Sequence, residues 1–286
     1  MVIDQLLNEG IENLRNIQYS NPQLEVRLIL SRLLEVDKSY LYAYGDREVS
    51  EQIIQEFRSW IQKRVAGYPL QYLLGTQEFM GMELEVSEGV LIPRGDTEIL
   101  VEYLLDYIRE NFGDDEFTLL DIGIGSGAIS LAIAKLCPKS KVYGVDFYDK
   151  PLALAKRNME RLGLHNATYF KGDLFSPFEG EHWSEYFNIV VSNPPYIPEG
   201  DKKELQSEVG GFEPETALFG GKDGLDFYRR ITQESKGYLK KRGLLAYEIG
   251  HDQGDAVSEI MRKEGFGDVI VKDDLESRNR VVAGKA

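Results

Sequence analysis

Asn193-Pro194-Pro195-Tyr196 is the segment whose residue types speak most directly of chemistry. It follows Phe187-Asn188-Ile189-Val190-Val191-Ser192, an apolar run of the kind that forms a buried strand. An Asn–Pro step commonly opens a turn, and an isolated match is no more than that. At the end of a strand the same residues acquire a use. The side-chain carbonyl of Asn193 and the backbone carbonyl of Pro194 can each accept one N–H of a planar –NH2 group. Neither proline carries an N–H, so the turn presents acceptors without a competing donor. Tyr196 offers an aromatic wall for a flat substrate. An amide or aromatic amine is a poor nucleophile because its lone pair is delocalised into the π-system. Two fixed acceptors hold such a group in plane and favour its pyramidalisation toward a methyl donor. No general base is evident, so orientation and charge stabilisation must carry the step.

Asp121-Ile122-Gly123-Ile124-Gly125-Ser126-Gly127-Ala128 supplies a place for the donor. It follows a strand-like run and opens a helix-like one. Glycines there let the backbone approach a ligand, and the helix start leaves N–H groups free. Asp146 ends the next strand about 20 residues on, where a carboxylate can accept both hydroxyls of a ribose. Three glycines at alternate positions, with Asp121 two residues before the first, suit S-adenosylmethionine. Asp121 can hold an amino-acid ammonium group, whereas it repels a pyrophosphate. Gly123-x-Gly125-x-x-Ala128 also satisfies the dinucleotide fingerprint, and a purely structural glycine turn is a third possibility. Asp173, in Gly172-Asp173-Leu174-Phe175, can accept from an adenine amino group with Leu174 or Phe175 against the ring; equally, it can cap a turn.

These motifs need a sheet to bring them together. From residue 117 onward the candidate strands are Phe117–Ile122, Lys141–Asp146, Ala167–Asp173, Phe187–Ser192, Gly243–Ile249, Asp268–Lys272 and Arg280–Ala283. Helical stretches lie between most of them, at Ala128–Leu136, Pro151–Leu162, Leu225–Leu239 and Asp255–Lys263. Such alternation implies an α/β fold with a mostly parallel sheet covered on both faces, because parallel strands need crossovers. Ligands then bind beyond the carboxyl ends of the strands, where the motifs should lie. Upstream, the first 75 or so residues read as helical, with Leu6, Leu7, Ile11 and Leu14 on one face, an Asn21-Pro22 start, and a stretch from Ser50 carrying Ile54, Phe57 and Ile61. Residues 77–92 change to a period of two around Met80-Gly81 and read as a hairpin that takes in Val90-Leu91-Ile92. Asp96 is expected to cap the helix that follows. The expected division is 1–75 helical domain, 76–95 hairpin linker and 96–286 α/β domain.

The 286 residues carry 48 Asp+Glu against 33 Lys+Arg, a net charge of -15. Residues 1–75 hold 10 acidic and 8 basic side chains, so the excess lies beyond them. That balance argues against a partner held chiefly through phosphate contacts. A single cysteine, Cys137, excludes an intramolecular disulfide and a Cys-rich zinc site, and His165, His182 and His251 show no metal-ligand spacing. Met1-Val2-Ile3-Asp4 begins no signal peptide, and no window approaches the ~18 apolar residues of a membrane helix, so a cytoplasmic setting is expected.

With these residues in view, the chain resembles the bacterial release-factor glutamine methyltransferases, the PrmC/HemK family. The resemblance runs over essentially the whole chain. It includes Gln71-Tyr72-Leu73-Leu74-Gly75, Val90-Leu91-Ile92-Pro93-Arg94-Gly95-Asp96-Thr97-Glu98, the glycine loop and Asn193–Tyr196. It continues through Glu213-Pro214-Glu215-Thr216-Ala217-Leu218, Asp223-Gly224-Leu225-Asp226, Glu248-Ile249-Gly250 and Arg280-Val281-Val282. The tetrapeptide alone is shared with adenine and guanine methyltransferases; the segments flanking the hairpin are much more specific.

The resemblance implies a seven-stranded Rossmann-like methyltransferase sheet, a helical N-terminal domain that docks a peptide-chain release factor, and a hairpin linker. It implies methyl transfer from S-adenosylmethionine to the glutamine nitrogen of a Gly-Gly-Gln motif, without a metal. Cofactor contacts are then expected from Gly123, Ile124, Gly125, Ser126, Gly127, Asp146, Leu174 and Asn193. Asn193, Pro194, Pro195 and Tyr196 are expected to hold the glutamine, walled by Phe79, Arg94 and Glu98. The family often has a bulky aromatic where Leu174 stands, which leaves open what packs on the adenine. Residues 197–224 are expected to form a substrate loop or a surface excursion. Methylation of a ribosomal-protein glutamine, or of a nucleic-acid base amino group, uses the same tetrapeptide and stays an alternative; the latter calls for a basic face. A nicotinamide dehydrogenase gives no use to Asn193–Tyr196, and a binding module without turnover has no need of them.

Overall fold

Apolar residues spaced three and four apart build the helices at the start of the chain. In the computed structural model, which describes residues 1–17 and 20–286, these are α1 (Ile3–Leu14), α2 (Pro22–Leu34), α3 (Lys38–Ala43), α4 (Glu51–Val65) and α5 (Leu70–Leu74). Three of the starts are capped by side chains: Asn21 Oδ1 accepts from the Leu24 N–H at 3.2 Å, Asp37 Oδ1 from the Tyr40 N–H at 3.1 Å and Ser50 Oγ from the Ile53 N–H at 3.5 Å. Leu6, Leu14, Val26, Ile29, Ile54 and Phe57 meet in one core. A distant piece of chain, Gln206–Phe212, belongs to this compact unit with Met1–Thr76. Arg64, 2% exposed, ties it in. Its Nε donates to Glu25 at 2.8 Å, its Nη2 to Glu208 at 2.9 Å and its Nη1 to the Tyr68 carbonyl at 2.6 Å. The Phe212 ring meets Tyr68 edge-on at 5.3 Å.

The second compact unit comprises Gln77–Leu205 and Glu213–Ala286. Its hairpin, β1 (Thr76–Phe79) and β2 (Met82–Glu85), turns at Met80 and Gly81, whose φ values of 49° and 69° suit a two-residue turn. Phe79, Met82 and Leu84 are buried in a core of this unit, and the Glu85 N–H donates to Asn158 Oδ1 at 2.7 Å. The hairpin is therefore part of the second unit. Val90–Ile92 is not paired as strand, contrary to the sequence pattern.

Beyond the hairpin come α6 (Gly95–Asn111), β3 (Thr118–Ile122), α7 (Ala128–Leu136), β4 (Lys141–Asp146), α8 (Asp149–Arg161), β5 (Ala167–Lys171) and β6 (Phe187–Ser192). Then follow α9 (Ser207–Phe212, of the first unit), α10 (Asp226–Ser235), β7 (Leu239–Glu248), α11 (Gly254–Lys263), β8 (Gly267–Asp273) and β9 (Asn279–Lys285). The seven strands order as β5-β4-β3-β6-β7-β9-β8, and β9 runs antiparallel to both its neighbours. Alternate residues feed opposite faces. Leu119, Ile189, Val191, Leu244 and Ala246 pack with α6, α7 and the hairpin, while Leu120, Val190, Leu245 and Tyr247 pack with α10 and α11.

Two local expectations change. Arg94 occupies the cap position of α6 but its side chain does not cap the helix, and Asp96 sits in its first turn, paired with Arg280 at 3.0 Å. The long loop 197–224 is not structureless, since it contains 3-10 turns at Glu199–Glu204 and Glu215–Ala217 as well as α9. Among the described residues no helix is long and apolar enough to cross a membrane, and no three His, Cys, Asp or Glu side chains are grouped to hold a metal.

Candidate active site

The chain builds β3, β4 and β5 outward in one direction and then returns to lay β6 on the other side of β3. A crevice opens at such a switch point, beyond the carboxyl ends of the strands. Ile122 and Ser192 are register partners on β3 and β6, so Gly123 and Asn193 leave adjacent strands side by side. The Ser192 hydroxyl reinforces the pairing by donating to the Ile122 carbonyl at 2.7 Å. A cavity of about 610 Å³ lies here, and Gly123, Gly125, Asp146, Asp173, Leu174, Asn193, Pro194 and Pro195 all line it.

The glycine loop divides its labour. Gly123 has φ 77°, and a Cβ built on it would meet nothing within 4 Å, so its backbone faces open space. Gly127 has φ 85°, but a Cβ there would lie 2.9 Å from Leu131 and 3.1 Å from Ala155, so its role is to pack the start of α7. Ile124 is a core residue, and the Ser126 carbonyl accepts from Asn158 Nδ2 at 3.0 Å. Ile124, Ser126 and Gly127 do not line the cavity, contrary to the expectation for the whole loop. Asp146 holds the loop from β4: one carboxylate oxygen accepts from the Gly125 N–H at 3.1 Å and the other from the Tyr148 N–H at 3.0 Å. Burial raises its pKa despite those bonds.

Asp121 is 1% exposed and lies next to cavity-lining Ile122 and Gly123 without lining the cavity itself. Its Oδ2 accepts from the Ser130 N–H at 3.1 Å, and its buried Oδ1 has no hydrogen-bond partner among the described residues. Burial pushes this carboxyl up to about 7; Ser130 pulls it down and nearby Asp146 adds to the rise. On the far side of the cavity, Asp173 accepts from Arg230 at 2.7 Å, and Leu174 adopts φ 49°, unusual for a branched side chain.

Asn193 is fixed by groups from two other elements. Its Nδ2 donates to Glu248 at the end of β7 at 2.8 Å and to the Thr97 hydroxyl oxygen on α6 at 3.2 Å. Glu248 and Thr97 are 2% and 4% exposed. Burial pushes Glu248 up to about 7, against the Thr97 hydrogen bond and the Arg280 charge, which favour the carboxylate.

The remaining expected residues are placed elsewhere. Tyr196 does not line the cavity; its ring packs on the core beneath α10, its carbonyl accepts from Gln253 Nε2 at 2.9 Å, and burial raises its phenol pKa. Phe79 is a core residue, Arg94 pairs with Glu213, and Glu98 accepts from the Met80 N–H at 2.6 Å. None of these three lines the cavity. Sequence reasoning missed Phe147 and Tyr148, exposed aromatics that line the cavity directly after Asp146. An aromatic pair following an acidic strand end was the available signal. Glu248 and Thr97 lay inside segments quoted for the resemblance, yet no local pattern ties them to Asn193.

The cavity therefore joins a backbone cradle, strand-end carboxylates for hydroxyl and amino groups, and an unpartnered buried carboxylate oxygen beside the loop. That donor set fits a nucleoside bearing an amino-acid tail, with a planar –NH2 group at the Asn193 end.

Comparison with known proteins agrees in kind. Residues 5–75 match the PrmC N-terminal domain and residues 96–208 the methyltransferase small domain. Release factor glutamine methyltransferase of Geobacter sulfurreducens is 40% identical over 280 residues, covering 98% of this chain and 92% of that one. The protein of the same name from Vibrio cholerae is 36% identical over 285 residues, covering 100% and 97%. Among solved structures, human methyltransferase 10 domain containing protein superposes with a TM-score of 0.55 at 19% identity, covering 72% of this chain and 88% of that one, a likeness of fold alone. Identity of this extent over the full length decides the matter: the chain belongs to the release factor glutamine methyltransferase family.

Proposed function

We propose that this chain transfers a methyl group from S-adenosyl-L-methionine to the side-chain amide nitrogen of the glutamine in the Gly-Gly-Gln motif of peptide-chain release factors, in the cytoplasm. The observation that carries the reading is the Asn193 amide, whose nitrogen is engaged behind the site while the residue lines the cavity. Its carbonyl oxygen and that of Pro194 are the two acceptors a primary amide needs. The family relationship supplies the acceptor: the relatives are named for it.

Asp121 Oδ1 would take the ammonium group of the donor, Gly123 and Gly125 would pass under its tail, Asp146 would accept from the ribose hydroxyls, and Asp173 from the adenine amino group. Phe147, Tyr148 and Leu174 are the apolar surfaces left for the base. When bound, S-adenosylmethionine supplies an electrophilic methyl carbon on a sulfonium. Asn193 and Pro194 hold the acceptor nitrogen in one plane and direct its lone pair out of it. The same two carbonyls stabilise the positive charge that gathers on nitrogen; as the N–C bond forms the methyl C–S bond would break to release S-adenosyl-L-homocysteine, and one amide proton would pass to water during or after the transfer. Fixing the two partners in this way replaces a bimolecular encounter by an oriented one.

The test is incubation of the chain with S-adenosylmethionine and purified release factor, followed by peptide mass spectrometry. One added methyl on the Gly-Gly-Gln glutamine is expected, and its loss by at least ~100-fold in Asn193→Ala. Methyl found only on a ribosomal protein or on nucleic acid overturns the reading.

A further inference from the structure

We propose that Glu248 and Thr97 are positioning residues that lock the Asn193 amide with its oxygen toward the cavity, and so make the site selective for acceptors that present an –NH2 group. The inference rests on the reading that Asn193 Oδ1 receives an acceptor N–H.

The two ends of a primary amide are nearly isosteric. With its nitrogen outward, Asn193 would meet an incoming –NH2 group donor to donor. Nothing in asparagine itself chooses between the two orientations; the surroundings must. Above about pH 7 the Glu248 carboxyl is ionised and so acceptor-only. The Thr97 hydroxyl oxygen likewise has lone pairs to receive a hydrogen. Asn193 Nδ2 then donates one hydrogen to Glu248 at 2.8 Å and the other to Thr97 at 3.2 Å. Both hydrogens of the amide are then used. A flipped amide would set its oxygen against the Glu248 carboxylate with no proton between them, in a buried place where that repulsion is poorly screened. The two bonds draw on α6, the turn after β6 and the end of β7, with the charges of Asp96 and Arg280 nearby, while the Tyr228 hydroxyl holds the Glu248 main-chain carbonyl at 2.9 Å.

The arrangement has a reversible polarity, which gives the test. Asn193→Asp alone would set two carboxyls at hydrogen-bond distance, which repel once both are ionised, so the variants are compared well above pH 7. Asn193→Asp with Glu248→Gln restores one bond in the opposite sense, the introduced glutamine amide donating to the introduced carboxylate, and returns a free oxygen to the cavity. The experiment compares E248Q, T97V, N193D and N193D/E248Q by melting temperature, S-adenosylmethionine affinity, kcat and KM with release factor as acceptor, and exchange of the Asn193 side-chain NH2 protons in the cofactor-free chain. In E248Q, that exchange is expected to quicken, and kcat to fall, by about tenfold or more with cofactor affinity within about twofold of wild type; T97V should show smaller changes of the same kind. N193D/E248Q should regain about tenfold over N193D. A purely structural role would lower the melting temperature of E248Q and give no recovery in the double variant. Wild-type exchange and kcat in E248Q, or in T97V should E248Q not fold, overturns the proposal. So does a folded, cofactor-binding double variant no better than N193D. If the wild-type chain leaves release factor unmethylated, the functional reading fails by itself, and the exchange measurement, which needs no acceptor, still decides this one.

Discussion

Asp121 is a carboxylate withheld from water beside a second acid, and its pKa near 7 means that a proton must leave before it can hold an ammonium group. Affinity for S-adenosylmethionine is therefore expected to weaken by up to about tenfold per pH unit below about 7 and to level off above it, as read by calorimetry. Asp121→Asn should flatten that profile. The same shift acts on stability. A carboxyl raised in the folded state stabilises fully below its unfolded value near 4, and the contribution is lost as pH rises through about 7. Asp121→Asn should thus gain stability relative to wild type between those limits, by up to a few kcal/mol, in denaturant melts at each pH. Among single residues, Asn193 and Asp146 were legible because their neighbours in sequence announce a strand end. Glu248 and Thr97 were not, since they lie 55 and 96 positions from the residue they hold. Phe79 and Arg94 entered through the resemblance alone, and the structure places both away from the cavity.

Elements were read more reliably where a buried face imposes a period. The inner strands of the large sheet carry apolar runs because helices cover both faces there, whereas edge strand β8 leaves Ile270 and Val271 exposed. The limits drifted where polar residues join a strand: β7 begins at Leu239 and takes in Lys240, Lys241 and Arg242, a basic run whose composition alone suggests a solvated helix end. Short α3 and α5 offer too few turns to show a period. The turn between β3 and α7 separates two uses of one residue type. Gly127→Ala meets Leu131 and Ala155 as well as an unfavourable φ, and should cost about 2–4 kcal/mol in stability. Gly123→Ala meets only the φ penalty, about 1–2 kcal/mol, yet places a methyl in the cradle and should weaken cofactor binding the more. Thermal melts and calorimetry on the two variants separate the effects.

At the scale of the whole molecule, the sequence foretold a helical beginning and an α/β remainder, but not that Gln206–Phe212 rejoins the first unit. No periodicity links Arg64 to Glu208; only the folded chain does. Arg64→Met strands Glu25 in a largely buried position and should cost the first unit about 3–5 kcal/mol, seen as a lowered melting temperature and faster proteolysis within residues 206–212. The near-neutral start and the acidic remainder also differ in how salt should affect them, since the net charge of -15 lies mainly beyond residue 75.

The broken contour of the first unit bears on how such proteins can be recombined. A chimera that grafts the first 76 residues of a relative onto this chain retains the host's Gln206–Phe212, and with it a glutamate chosen to meet an arginine 144 positions away. The heritable module is a pair of separated stretches, and crossovers that move one without the other should yield mismatched progeny.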